Sequence, residues 1–436
     1  MLPEVTTHTY KLEDYKAYIP ESQFQEIQKL AYSLKGLKVN MINSTPRGGG
    51  VAEILKSLVP LMKGLGIQAK WYTIPPRDDF FKITKEMHNA LQGKNYDFPF
   101  SHRARYLKHM ERSARQMRDM RADLWVIHDP QPAGVIQYLP QIKNSICRIH
   151  IDLTSPNMDV WKFIASFLEM YKKIVVSSKE FVKPEFREKA VIIPPAIDPL
   201  NPKNEPSDFR YSKELLKSYG IAPEKPLISQ VSRFDPWKDP LGVVKAYRIA
   251  KEKIPNLQLA LVGFFMASDD PEAIKVFKKV KKETEKDPDV FLFSDLSRLG
   301  SLKINTFVNA VQTSSDVLFQ KSIREGFALT VTEAMWKKKA IIGGNAGGIK
   351  IQIEDGKNGF LVKTPEEAAR RTVQLIKNPA LARELGEKAH KTVQEKFLMP
   401  RLLRDYLCLF KKTLLCKNRG GKANKEINEI LTSYRK

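Results

Sequence analysis

Cysteine is scarce in this chain. It has three in 436 residues, Cys147, Cys408 and Cys416, and no CxxC pair, which excludes a disulfide framework and a cysteine-based metal site. Long apolar runs are missing too, since no stretch reaches the roughly 18 residues that a membrane span needs. The opening MLPEVTTHTYKLEDYKAYIPESQ lacks an apolar signal core, so a cytoplasmic location with no membrane partner is expected. Acidic side chains are in short supply: 73 Lys and Arg face 49 Asp and Glu, a formal net charge of +24. Such a surplus admits nucleic acid, an anionic surface or phosphorylated small molecules as partners. The basic residues, however, are interleaved with acids along the whole length, the pattern of a solvated, ion-paired surface, so no specific nucleic-acid partner is expected. The exception is the tail Lys411 to Lys436, with eight basic and two acidic residues; polyanion contact and a frayed terminus both fit it.

What the chain does have is a rhythm. At 42% hydrophobic residues over this length it can bury two or three cores. The runs GLKVNMI (36–42), DLWVIH (123–128), SICRIHI (145–151), KIVVSS (173–178) and AVIIPP (190–195) read as buried parallel strands. Helical periodicity separates several of them, as in VAEILKSLVPLMKGLG and MERSARQMRDMRAD. From Pro195 to Lys225 the rhythm breaks in a stretch rich in Pro, Asn, Ser and Lys, the expected domain junction. A second series follows: PLISQVSRF (226–234), LQLALVGFF (257–265), DVFLFS (289–294), SDVLFQ (315–320), KAIIGG (339–344) and GFLV (359–362). The expected fold is α/β, with two Rossmann-like domains, 1–200 and 220–398, whose parallel sheets face a central cleft; a helix near 399–436 packs back on the first.

Several segments carry candidate chemistry. NSTPRGGGVAEIL (43–55) places Gly48, Gly49 and Gly50 between a strand and a helix, where exposed N–H groups can hold a phosphate. It matches neither GxGxxG nor a P-loop, and a purely structural turn is the alternative. QVSRFDPWKDP (230–240) offers Arg233 and Lys238 around a Pro-containing turn. Two cations at a strand end suit a departing diphosphate; surface ion pairing is the other reading.

SIREGFALTVTEAMW (322–336) spaces Glu325 and Glu333 eight apart, and LTVTEAMW reads as a helix starting beside the N–H groups of Gly326, Phe327, Ala328 and Leu329. A helical rise puts the two carboxylates roughly 12 Å apart at most. That is the reach from a sugar ring to the ribose of a nucleotide-sugar, and carboxylates accept readily from vicinal hydroxyls. GGNAGGIKIQIEDGKNGFLV (343–362) adds a permissive turn at Gly347 and Gly348 and a tight turn at 355–359. In the first half His128, Asp129, His150 and Asp152 stand at strand ends, where they can bind a sugar or move a proton. Ligands 22 residues apart without a cysteine partner do not make a metal site.

Taken together, these segments resemble retaining GT-B glycosyltransferases of family 4, and more closely the trehalose glycosyltransferring synthases. The broad likeness rests on Glu325 with Glu333, Arg233 with Lys238, and the turn at Gly347 and Gly348. The narrower one rests on NSTPRGGGVAEILKSLVPLM, MHNALQG, VIHDPQPA, RIHIDLTSPN, IIPPAIDPL, QVSRFDPWKDP and SIREGFALTVTEAMW, spanning roughly residues 10 to 410.

The resemblance implies that Arg233 and Lys238 hold the donor diphosphate. It gives the donor glucose hydroxyls to Glu325 and the N–H groups of Gly326, Phe327 and Ala328, and the ribose to Glu333. His150 would face the donor sugar, Asp129 the acceptor glucose, and Gly48, Gly49 and Gly50 the phosphates. Glucose would pass from an NDP-glucose (ADP-, UDP- or GDP-glucose) to free glucose, giving trehalose with retained α configuration. No metal is required, though a divalent cation such as Mg can stimulate; the oligomeric state, a homodimer included, stays open. A trehalose phosphorylase of the same fold, a family 4 enzyme with another acceptor, and a basic nucleic-acid-binding protein are the alternatives. The chain departs from the family at Asp239-Pro240 and at Ala328, where glycine is usual, and at Lys338, Lys339 and Ala340, where the family has Gly-Lys-Pro. These changes bear on donor preference rather than on the chemistry.

Overall fold

The computed structural model describes residues 1–264 and 271–415. Cys416 and the basic tail beyond it lie outside the described residues. The chain forms two compact units, Met1–Pro195 with Met399–Lys436, and Ala196–Leu398. Among the described residues no helix is long and apolar enough to cross a membrane.

The first unit holds six parallel strands: β1 Lys38–Asn43, β2 Gln68–Thr73, β3 Leu124–His128, β4 Ser145–Arg148, β5 Lys173–Val176 and β6 Ala190–Ile192. Their spatial order is β2-β1-β3-β4-β5-β6, so the direction of winding reverses between β1 and β3. The second unit repeats the plan with β7 Leu227–Val231, β8 Gln258–Val262, β9 Val290–Phe293, β10 Val317–Gln320, β11 Ala340–Gly344 and β12 Phe360–Val362. There the order is β12-β11-β10-β7-β8-β9, again all parallel, with the reversal between β7 and β10. Ligands of such sheets bind beyond the strand C-termini at the reversal.

Continuous apolar runs make these strands because both sheet faces are covered. All five residues of β8 are buried. Leu259 and Leu261 join one layer with Val243, Tyr247 and Leu375, while Ala260 and Val262 join the other with Leu216, Phe293 and Phe307. The eleven apolar runs all contain strands. The twelfth, β2, escaped notice because QAKWYT alternates, with Gln68 and Lys70 exposed and Ala69 and Trp71 buried. It is an edge strand, and the N-terminal segment caps its free side: the Val5 N–H donates to the Trp71 carbonyl (2.8 Å) and the Thr73 N–H to that of Pro3 (3.0 Å).

The stretch read as a junction starts where the two units divide. The second unit begins at Ala196, and residues 196–219 belong to it; helix Phe209–Lys217, capped by Asp208, packs on helix Ile304–Ser314. Proline and asparagine there build the turns that follow the boundary.

Helix Met399–Leu415 lies on helices Glu21–Tyr32 and Gly50–Gly64 of the first unit. Two buried guanidiniums fix it. Arg401 donates to the carbonyls of Pro194 (2.9 Å) and Pro195 (2.8 Å) and to Asp405 (2.9 Å). Arg148 reaches the Tyr406 hydroxyl (3.1 Å) and the Ile193 carbonyl (3.0 Å). Removing such a donor strands buried acceptors. Arg401→Met should therefore destabilise the protein by about 2–4 kcal/mol in chemical denaturation, whereas Arg404→Met, at a more exposed ion pair, should cost less than about 1 kcal/mol.

Candidate active site

Lys238 and Glu325 meet beyond the C-termini of β7 and β10. The Lys238 ammonium lies 2.5 Å from Glu325 Oε2, which also accepts from the Ser322 hydroxyl at 3.1 Å. Two glutamines hold the pair in place. Gln230, on β7, donates to the Lys238 carbonyl (2.9 Å) and accepts from the Lys321 N–H (2.9 Å), tying the two loops together. Gln320, on β10, donates to Ser322 Oγ (2.9 Å) and is itself held by the Thr330 hydroxyl (2.7 Å). The Arg233 guanidinium pairs with Asp235 at 3.1 Å, and its side chain is 53% exposed. Asp235 caps the turn Pro236–Lys238 through the Trp237 N–H.

Glu325 and Glu333 do not share one helix. The helix begins at Leu329, and Ala328 before it is left-handed (φ 72°), so a helical rise does not measure the distance between the carboxylates. The loop from Glu325 to Ala328 is packed from beneath. Gly348 donates to the Glu325 carbonyl (2.8 Å), and a β-carbon there would come within 2.3 Å of Gly326 C and 2.4 Å of Phe327 N. The side-chain amide of Gln352 holds the carbonyls of Phe327 and Ala328, and its oxygen accepts from Thr332 (2.6 Å). Gln352 was not read from the sequence as a site residue; a lone buried glutamine in GIKIQIED gives no chemical signal. Gly347 belongs to the same turn. The three positions where the resembling family favours glycine, Asp239 (φ 46°), Ala328 and Lys338 (φ 59°), are all left-handed here. Asp239 earns its place by capping helix Pro240–Lys251 through the Gly242 N–H and by pairing with Lys321.

Glu333 sits in a separate buried cluster. Lys203 lies 2.9 Å from Oε1, and Gln312 donates to Oε2 at 3.1 Å. Burial pushes this carboxyl up, but the ammoniums of Lys203 and Lys337 outweigh it and hold it below its ordinary range. Burial in turn brings Lys337 down to about 7. Neither lysine was singled out in the sequence.

In the first unit the residues after β3 and β4 converge. His128 Nδ1 lies 3.0 Å from His150 Nε2, and the His150 N–H donates to Asp129 Oδ1 at 2.7 Å. Burial, then the charge of Arg148, lowers both imidazoles, His128 to about 3, so both are neutral at pH 7. Burial raises Asp129 to about 7 against the opposing pull of the His150 amide and Arg148. His88, from the MHNALQG string, adds its influence on His150, and Gln131 Nε2 stands 3.4 Å from His88 Nδ1. Asp152 is occupied in capping Thr154 (2.9 Å) and bonding its hydroxyl (2.6 Å), which gives it a structural task. After β1, Gly48 has φ 83° while Gly49 and Gly50 are exposed at the start of helix Gly50–Gly64; the loop is held by Asn43 Nδ2 on the Thr45 carbonyl (2.7 Å).

Residues 41–183 match the family model for the trehalose synthase N-terminal domain, and residues 212–392 that for glycosyl transferases group 1. The trehalose synthase of Pyrococcus horikoshii is 44% identical over 407 residues, covering 93% of this chain and 97% of that protein. The chain belongs to the trehalose synthase family. Another trehalose synthase, from Rubrobacter xylanophilus, is 41% identical over 420 residues, covering 95% of this chain and all of that one. A trehalose phosphorylase of Pleurotus pulmonarius is more distant, 27% identical over 435 residues, and the match spans 58% of it. Among solved structures, Anabaena HepE in complex with UDP and glucose aligns with a TM-score of 0.63 at 15% identity, over 86% of this chain and 99% of that one. At that identity the likeness shows the fold alone. This trehalose synthase family member is thus a GT-B glycosyltransferase with two Rossmann-like units.

Two outcomes follow. Gly348→Ala should cut turnover on the order of a hundredfold and lower the melting point, because the buried Gly326–Phe327 peptide must shift to admit the β-carbon. Asp129→Asn is isosteric and keeps the acceptor for the His150 N–H. An aspartic acid with a raised folded pKa loses stability as pH climbs from about 4 through about 7. The asparagine variant should therefore melt higher than the parent at pH 8, with the gap closing toward pH 4.

Proposed function

We propose that the protein transfers glucose from a nucleoside-diphosphate glucose to free glucose and forms α,α-trehalose with retention. The observation that carries this reading is the Lys238–Glu325 contact beyond the β7 and β10 reversal, with the N–H groups of Gly326, Phe327 and Ala328 beside it. In this reading Arg233 and Lys238 hold the diphosphate and spread its charge as the bond from glucose C1 to the phosphate oxygen breaks. The anomeric hydroxyl of the acceptor attacks C1 on the same face, and its proton passes to the departing phosphate oxygen. No protein nucleophile takes part.

Glu325 and the three N–H groups bind donor hydroxyls, and Glu333 binds the ribose. Gly48, Gly49 and Gly50 take the phosphates. Asp129 takes an acceptor hydroxyl, and His150, neutral by burial, offers a hydrogen bond to sugar without adding charge. Two protein cations supply the positive charge that a metal would otherwise bring, with magnesium at most stimulatory.

Glucose incubated with ADP-, UDP- or GDP-glucose should yield trehalose and the matching nucleoside diphosphate, with EDTA leaving turnover measurable. Arg233→Ala and Lys238→Ala should each lower kcat about 10²- to 10³-fold while the fold is kept. Trehalose with inorganic phosphate giving glucose 1-phosphate, and no reaction with a nucleoside diphosphate, would replace this reading by a phosphorylase.

A further inference from the structure

The Lys203–Glu333 ion pair has no part in the scheme above, yet it is carefully built. Lys203 sits on a turn anchored from several sides. Its N–H donates to Asn201 Oδ1 (3.0 Å), Asn204 Nδ2 to the Asp198 carbonyl (2.9 Å), and Asn309 Nδ2 to the carbonyls of Pro202 and Glu205 (3.0 Å each). The Trp336 indole holds the Asn204 carbonyl (3.1 Å). The turn thus delivers one ammonium, its side chain 16% exposed, to Glu333 Oε1.

Glu333 is only 2% exposed, and of its two partners Gln312 is buried while the Lys203 side chain is 16% exposed, so a ribose diol reaches the carboxylate from the side that Lys203 covers. If Lys203 withdraws, a buried carboxylate needs another cation close by. Lys337, the next residue beyond the same helix, has its ammonium shut away from solvent with no hydrogen-bond partner among the described residues. It acts on Glu333 and feels both Lys203 and Lys339.

Resting on the assignment of Glu333 to the ribose, we propose that Lys203 is a specificity-determining residue that competes with the ribose diol for Glu333, with Lys337 the counter-ion that takes over when the diol binds. A ligand with a diol displaces the ammonium. Inorganic phosphate, or a nucleotide without the diol, does not.

The test is calorimetric Kd on the full chain, using whichever of ADP, UDP or GDP binds most tightly and its 2′,3′-dideoxy analogue. Lys203→Met and the hydrogen-bonding Lys203→Gln should bind the diphosphate about 5- to 20-fold more tightly, corresponding to roughly 1–2 kcal/mol of lost competition. The dideoxy analogue should be unaffected. Lys203→Arg should behave like the parent, and Lys337→Met should weaken the diphosphate alone. A merely structural lysine gives no gain in affinity. Unchanged or weaker binding by both Lys203→Met and Lys203→Gln overturns the competition. If Glu333→Gln abolishes the preference for the ribose form in that case, the ribose assignment survives and only the competition is lost. If the parent shows no such preference and Glu333→Gln changes neither ligand, the ribose assignment is wrong and the proposal falls with it.

Discussion

A carboxylate removed from water must be answered by a cation or give up its charge, and this constraint organises both units. Glu325 is answered by Lys238 and Glu333 by Lys203 with Lys337. Asp129 has no such neighbour in ion-pairing contact among the described residues, only an amide N–H and the more remote charge of Arg148. The consequence is visible in the titration directions. Glu333, surrounded by ammoniums, stays ionised, while Asp129 rises to about 7 and sits near the midpoint of its own titration. The two units therefore offer different chemistry: fixed charges in the second, and hydrogen-bonding groups of low charge in the first. A diphosphate calls for the former, and neutral sugar hydroxyls for the latter.

Charge alone does not hold the site in shape. Four residues other than glycine keep positive φ, namely Asp129, Asp239, Ala328 and Lys338, and two of these, Asp129 and Ala328, sit at proposed sugar contacts. A left-handed residue with a β-carbon costs about 1–2 kcal/mol, so its surroundings must determine it. At Ala328 the surroundings are Gln352 and Gly348, which together grip the peptide from Gly326 to Ala328. At Asp129 they are the Arg148 carbonyl, accepting from its N–H at 2.7 Å, and the His150 amide. Strain and buried charge coincide at Asp129, and at Ala328 the strained residue lies three positions from the buried Glu325.

Much of this was legible in the sequence, and the reason differs by element. Buried parallel strands announce themselves as apolar runs because neither face sees water; β2 does not, since an edge strand with one wet face keeps Gln68 and Lys70. Glu325 stood out because a glycine follows it beyond a strand, Glu333 by its spacing from Glu325, and Arg233 with Lys238 as two cations around a Pro-containing turn after a strand. What did not stand out were the groups acting through them. Gln230, Gln320 and Gln352 look like any polar residue, and Lys203 lies 130 positions from its partner in a stretch whose composition suggests a linker. The departures from the family's glycines were legible too, but their meaning needed φ: each marks a left-handed position kept without the residue that adopts it most easily.

The two lysines at the two glutamates illustrate how one type of contact can serve opposite ends. An ammonium has three donors. Lys238 gives one to Glu325 and, in the proposed scheme, has others for phosphate oxygens, so a diphosphate and the carboxylate can share it. Lys203 is different, because in that scheme it covers the side of Glu333 from which the ribose hydroxyls approach. In the proposed scheme one lysine bridges protein and ligand, and the other stands where the ligand is to bind. In that scheme a neutral residue at Lys238 lowers nucleotide affinity and one at Lys203 raises it, because the first ammonium touches the ligand and the second covers the carboxylate that the ligand needs.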